Sequence, residues 1–410
     1  MSEFDCRRNI FILGLYTLCL NAVFILPVFM AFYRDEMGLT FHDLLIAESV
    51  FAATLILLDV PCGYFADRFG RKASLVLGAI FYALGLGILY IADGLYGAIA
   101  AQATIGIGVS FASGANSAIL YDTLLSAGRE SEFRRFEGLR FALGLYACAA
   151  ACVIGGYLYT LDHSAPILVE IFVLICALVA GLALREPPRH QKAAHHNPLK
   201  DIAETVVYTL RGHKDIGFIV LLMVFIFSTT KICMWSLQPY AAALSWPESV
   251  NGWVIATVML LGGLSGHFGH HLFPKLDGRR LCFVLLGALT VLIALSGLLI
   301  TPLGIVFLGC ESLIFGFGMP RIQEYLNARV ESHRRATILS TANFATSLGF
   351  IPLSQIIGVM NDAHGIGASL LLHAAILAGF GLLLRVLSAR STFAQIPEII
   401  EEPLTQGDQT

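Results

Sequence analysis

The sequence predicts an all-α polytopic membrane protein. Twelve transmembrane helices are expected in two pseudo-symmetric halves of six, with the N and C termini cytoplasmic. Three observations lead there. First, 57% of the 410 residues are hydrophobic and only 13% are charged. Soluble domains carry about a quarter charged residues, so too little polar surface remains for a water-soluble globule. Second, apolar windows of about 20 residues, long enough to cross a bilayer, recur along the chain. Third, lysine and arginine gather on alternate connections, as they do in multi-pass proteins.

The windows run 10–33, 43–66, 73–93, 95–122, 136–160, 166–184, 216–243, 250–273, 281–300, 302–327, 336–361 and 366–390. Their apolar runs are continuous, without two-residue alternation, which excludes a strand barrel. Several exceed the minimum length for a crossing and are expected to tilt. The first follows "MSEFDCRRN". It is too long for a signal-peptide core and ends in no convincing cleavage site, so it is expected to be retained as a helix.

Orientation follows from the basic residues. Arg7, Arg8, Arg68, Arg71, Lys72, Arg129, Arg134, Arg135, the basic residues from Arg185 to Lys214, Lys275, Arg279, Arg280, Arg329, Arg334, Arg335, Arg385 and Arg390 fall on one side. The other loops keep only Arg34, beside Asp35 and Glu36. The positive-inside rule makes the basic side cytoplasmic.

The windows divide the chain into four parts. Residues 1–184 form an N-terminal six-helix half. Residues 185–215 form a cytoplasmic linker in which 199–212 is an amphipathic helix along the membrane face. Residues 216–390 form a C-terminal six-helix half, and 391–410 a polar, acidic tail expected to be disordered. A net charge of −3 argues against a nucleic-acid partner. The nine cysteines form no CxxC pair and read as small packing residues. His267, His270 and His271 have a spacing that places two on one helix face, but no acid accompanies them until Asp277, so no metal is expected. No cofactor is expected, and no phosphate-binding loop of the type GxxxxGK[ST] occurs.

The halves echo each other. "GYFADRFGRK" at 63 has a degenerate counterpart in "GHFGHHLFPKLDGRR" at 266, an offset of 203, and Tyr121 and Tyr325 are offset by 204. Parallel repeats related by an axis along the membrane normal are a transporter architecture.

The segment "GYFADRFGRK" resembles the signature between the second and third helices of the major facilitator superfamily. Gly63, Asp67, Arg68, Gly70, Arg71 and Lys72 match it. The resemblance implies a latch between the halves. Asp67, at the inner end of helix 2, would meet the positive N-terminal end of helix 11 near Ala336. Arg71 would reach Asp122 at the inner end of helix 4, and Gly63 and Gly70 would allow close approach and a tight turn. Two patterns depart from the family. In "AQATIGIG" Gln102 stands where proton-coupled members often carry arginine, and "ACVIGG" keeps Gly155 and Gly156 but has Ala151 and Cys152 for Gly-Pro.

Ionisable residues at membrane depth mark candidate sites, because each is costly there without a partner or a water-filled cavity. In this family helices 1, 4, 7 and 10 line the cavity. Lys231 in helix 7 and Glu311 in helix 10 both fall near the midplane and are expected to pair. Helix 2 carries Glu48 in its outer half and Asp59 nearer the inner end; Asp59 is expected to join Asp122 and Arg140 in a charge network. Arg321 and Glu324 are three residues apart beside Pro320, and Arg321 is a candidate anion ligand. Tyr16, Asn21, Asn116 and Trp235 supply polar and aromatic groups to the same cavity.

The function these features imply is secondary active transport of a small polar, zwitterionic or anionic organic solute by alternating access, not catalysis. Proton-coupled export by a monomer in a bacterial inner membrane is the leading expectation. Import of a nutrient or metal chelate and a transport-dead receptor are the alternatives.

Overall fold

A computed structural model of the chain describes residues 3–188, 214–268, 278–329 and 335–390, and among them every regular element is helical. The expected linker helix at 199–212, the acidic tail, His270 and His271 lie outside the described residues.

The first apolar window is broken rather than continuous. Helix α1 (Glu3–Asn21) stops, residues 22–25 leave the helix, a short 3₁₀ turn (Leu26–Val28) carries Pro27, and α2 (Phe29–Met37) resumes. Proline cannot donate to the preceding turn. The backbone N–H of Ile25, freed by the break, donates to Glu170 Oε2 at 3.0 Å. Gly155 lets the interruption seat against its neighbour: a Cβ there would run into the Phe24 carbonyl oxygen.

Helix α3 (Phe41–Phe69) opens with a capping box in which Thr40 accepts from the Asp43 N–H and the Asp43 carboxylate accepts from the Thr40 N–H. Helices α4 (Arg71–Ile91), α5 (Gly94–Ser126), α6 (Phe133–Leu161) and α7 (Ala165–Ala183) complete the N-terminal group. In it α5 packs on α3 and α4, and α7 packs on α1 and α4.

The C-terminal group comprises α8 (Lys214–Ala243), α9 (Glu248–Phe268), α10 (Gly278–Leu298), α11 (Pro302–Gly309), α12 (Glu311–Arg329) and α13 (Arg335–Arg390). The tenth window is split at Cys310, immediately before Glu311, so Glu311 stands in the first turn of α12. The two last windows run together as α13, interrupted at Gly365, whose φ of 79° lies in the left-handed region.

Eleven helical stretches among the described residues are long and apolar enough to cross a membrane, against the twelve windows expected. The difference lies in the last, Ala345–Val386, of 42 residues. Straight, it would measure about 63 Å, roughly twice the ~30 Å hydrocarbon core.

The groups meet mainly through α6 against α9 and α3 against α13. The loop face that carries Arg68, Arg71, Lys72 and Arg129 is here termed the basic face, and the opposite one the far face. One apolar cluster towards the far face unites Phe29, Tyr33, Phe41 and Leu45 with Trp235, Phe350, Leu353 and Ile357 of the second group. A second, on the basic-face side, stays within the first group around Tyr16, Leu75, Ala112 and Ile119.

Candidate functional site

The motif corner is built where α3 hands over to α4. Gly70 has φ 125°, a conformation that side chains with a Cβ rarely adopt, and it turns the chain between the helices. The Arg71 guanidinium donates to the Asp122 carboxylate and, at 2.5 Å, to the Ala118 carbonyl of α5. The backbone N–H groups of Arg71 and Lys72, the unsatisfied start of α4, donate to Glu186 Oε1 and Oε2 at 2.9 and 2.8 Å. A carboxylate at a helix N-terminus meets free donors and the positive end of the helix dipole. Sequence reasoning does not single out Glu186; its signal is an acid just past an apolar window, inside a stretch that reads as linker.

Asp67 and Arg68 are exposed at the end of α3. Arg68 donates to the Tyr64 hydroxyl at 3.0 Å and lies 5.7 Å from the centre of the Phe69 ring. The partner expected for Asp67, at the start of the eleventh window near Ala336, falls on residues whose side chains lie outside the described part. Among the described residues a Cβ at Gly63 would meet nothing within 4 Å.

The charges at membrane depth pair differently from the expectation. Lys231 does not meet Glu311. Its Nζ lies 3.8 Å from Glu48 Oε2, across the boundary between the two groups. Depth in a window does not fix the direction in which a side chain leaves its helix. Glu48 is buried and also accepts from the Gln102 amide on α5 at 2.5 Å. The Lys231 ammonium sits 4.2 Å from the Phe350 ring centre and 5.7 Å from that of Phe51, and aromatic faces attract cations at such distances. Sequence reasoning misses Phe51, Phe350 and the donor role of Gln102, because an apolar window hides which of its phenylalanines faces a charge.

Glu311 is buried on α12, which packs on α8, and it makes no ion pair or hydrogen bond among the described residues. The network of Asp59, Asp122 and Arg140 does not form. Arg140 forks onto Glu137 at 2.6 and 2.8 Å, one helical turn away, Asp122 is held by Arg71, and Asp59 receives the Ser113 hydroxyl at 3.5 Å. A nearer acid on the same helix face captures Arg140. Arg321 pairs with Glu324 at 3.3 Å.

Two of the expected cavity groups bond to backbone carbonyls. The Tyr16 hydroxyl donates to the Leu75 carbonyl at 2.8 Å and is wholly buried. The Asn21 amide donates to the Thr17 carbonyl within its own helix, at 2.8 Å. Asn116 is buried on α5, and its Oδ1 has no hydrogen-bond partner among the described residues. Trp235 stacks edge-on to Phe29 at 5.8 Å.

Beyond the Lys231 pair, a polar seam joins the groups towards the far face. Gln238 accepts from the Met30 N–H at 2.9 Å and donates to the Leu26 carbonyl at 3.0 Å, using backbone groups exposed by the break in the first window. The hydroxyls of Ser49 and Ser354 are 3.2 Å apart, and Gln355 donates to Ser49 at 2.8 Å. Arg34 reaches Glu248 at 3.3 Å. No metal-binding cluster of His, Cys, Asp or Glu occurs among the described residues.

Two groups of helices long and apolar enough to cross a membrane meet around the Lys231–Glu48 pair, the architecture of a multi-pass membrane protein. Residues 12–353 match the Major Facilitator Superfamily, and the chain belongs to that family. A curated relative, an "Uncharacterized transporter" of Buchnera aphidicola subsp. Schizaphis graminum (strain Sg), is 31% identical over 84 residues, a segment spanning 20% of this chain and 21% of that protein. Among solved structures, the nucleoside transporter NupG is similar with a TM-score of 0.78 and 13% identity, over 95% of this chain and 100% of the other. A bacterial homolog of the human lysosomal transporter Spinster, solved inward-facing and unoccupied, gives 0.75 and 15% identity, over 96% and 100%. At such identities the likeness is one of fold.

Proposed function

We propose that this chain moves a small polar organic solute, such as a metabolite, a drug or a siderophore-like chelate, by alternating access coupled to protons, in the direction of export. The observation that carries the reading is the Lys231–Glu48 pair. Its members belong to different halves, so rocking of the halves has to separate or re-form it. Each charge left alone at membrane depth is unfavourable. A proton on Glu48, or an anionic solute group on Lys231, replaces the lost partner and permits the movement. Gln102 stands where proton-coupled relatives often have arginine; here the compensating cation comes from the other half.

In this reading the chain crosses the membrane twelve times, with α13 folding back at Gly365. The basic face and both termini are cytoplasmic, the halves are 1–184 and 216–390, and the protein acts as a monomer in a bacterial inner membrane. The seam at the far face is then the outer gate. The Arg71–Asp122–Glu186 corner holds α3, α4, α5 and α7 as one body, so that Asp67 is presented rigidly to the second half. Export is supported by the close motif match. Import of a nutrient or chelate is the competing direction.

The test is flux in vesicles with the purified protein inserted in one orientation. A pH gradient should drive accumulation of the transported solute by wild type. Glu48→Gln should abolish the response to the gradient while leaving exchange between identical solutes on the two sides. Gradient-driven accumulation by Glu48→Gln equal to that of wild type contradicts the assignment.

A further inference from the structure

A groove between α1 and α6 at the basic face belongs to neither site above. Its cavity measures about 640 Å³. The opposite face of α1 is spent on the bundle: Tyr16 is bonded to α4, Asn9 to Thr123 of α5, and Arg8 to the Ala183 carbonyl of α7. The groove face therefore turns away from α4, α5 and α7 and is walled on its other side by α6. Its wall is apolar and uncovered, with Phe11 73%, Leu15 44%, Leu18 41% and Leu139 55% exposed. Phe11, Leu15 and Leu18 follow the three- and four-residue spacing of a single helix stripe.

The mouth of the groove is charged. Arg7, Arg129 and Arg135 stand at it with Glu132. Glu132 takes Arg129, at 2.5 and 2.8 Å, and Glu3 takes Arg7, at 2.6 Å. Arg135 is exposed and has no ion pair among the described residues; its guanidinium rests 6.0 Å from the Phe136 ring. From Arg7 to Leu18 the helix rises about 16 Å, roughly half of the ~30 Å hydrocarbon core. The result is an apolar trough about half the hydrocarbon core long, with three arginines against the two carboxylates Glu3 and Glu132 at its polar end.

We propose that this groove is a binding site for an anionic phospholipid of the leaflet on the basic face. One acyl chain lies along Phe11, Leu15, Leu18 and Leu139, and the headgroup phosphate pairs with Arg135. Basic pockets between transmembrane helices select anionic headgroups in this way. Arg135 carries the pairing because Arg7 and Arg129 are already held by carboxylates.

The experiment is native mass spectrometry of the purified full chain in detergent, offered dioleoylphosphatidylglycerol or dioleoylphosphatidylcholine. Wild type should retain one phosphatidylglycerol in preference to phosphatidylcholine. Arg135→Gln should reduce that preference about five-fold. Leu15→Trp, which fills the trough from an exposed position, should remove retention of the lipid while the lipid-free melting temperature stays unchanged; Leu139→Trp, from the opposite wall, should do the same. Equal retention of the two lipids, or retention unaffected by both tryptophans, overturns the proposal. So does displacement of the lipid by inorganic phosphate alone, which would make the site one for a free anion.

Discussion

Lys231 and Glu48, on α8 and α3, face each other across the two halves with Nζ 3.8 Å from Oε2. Glu48 is nearly enclosed, while the lysine side chain keeps 35% of its surface. Removing either partner leaves the other charge uncompensated, and the more enclosed one suffers more. Lys231→Met, which strands Glu48, should therefore lower the melting temperature more than Glu48→Gln. The double variant should recover most of the stability, because no isolated charge remains. It should not recover transport, since the exchangeable charge is gone. Thermal melts in detergent and flux in vesicles check the two halves of the prediction.

The seam towards the far face has to open if the halves rock. The Ser49 and Ser354 hydroxyls are 3.2 Å apart, close enough for a disulfide after small adjustment. Ser49→Cys with Ser354→Cys should cross-link under mild oxidation and lose transport at least ten-fold, with recovery on reduction. The native cysteines among the described residues are free, so the cross-link is scored against a wild-type oxidation control.

Glu186 accepts from the first two N–H groups of α4, a capping contact worth about 0.3–1 kcal/mol at an exposed helix end. Glu186→Gln should cost no more than this. Asp122→Asn should cost more, about 1–3 kcal/mol, because it leaves the Arg71 guanidinium with a neutral partner at a half-buried site. Denaturation of the two variants side by side tests the order.

Helices α6 and α9 cross where Gly252 meets the Cys152 carbonyl; a Cβ at Gly252 would collide with that oxygen. Gly252→Leu should force the halves apart at this crossing, with a loss of about 1–3 kcal/mol. It should also raise labelling of a cysteine placed at Ser249 on the far face. Unchanged labelling and stability would show that the crossing is not tight.

Much of this is legible in the sequence, for identifiable reasons. Helix positions follow from apolar length, which is why the windows from 43–66 to 281–300 fall on helices as far as the described residues reach. Arg71 with Asp122 is readable because the motif fixes both a spacing and a partner helix. What fails is azimuth. Lys231 and Glu311 share a depth and a half, yet Lys231 points to Glu48 in the other half. Arg140 is expected at Asp59 and Asp122 when Glu137 stands one turn away on its own helix. Tyr16 looks like a cavity group because a polar atom in an apolar window signals only a partner, and the partner of this wholly buried hydroxyl is the Leu75 carbonyl. The break at 22–25 has a signal in Pro27, but its second cause, the Glu170 carboxylate, comes from a helix far along the chain.

Transport of an organic solute through a path that depends on the Lys231–Glu48 pair would show in the solutes of whole cells. The most direct measurement is untargeted solute profiling of cells and medium, comparing wild type with Lys231→Met and Asp67→Asn at matched membrane expression. At least one small polar compound should be enriched in the medium with wild type and not with either variant. Enrichment inside the cells would reverse the direction to import. No compound differing in either compartment would contradict transport itself.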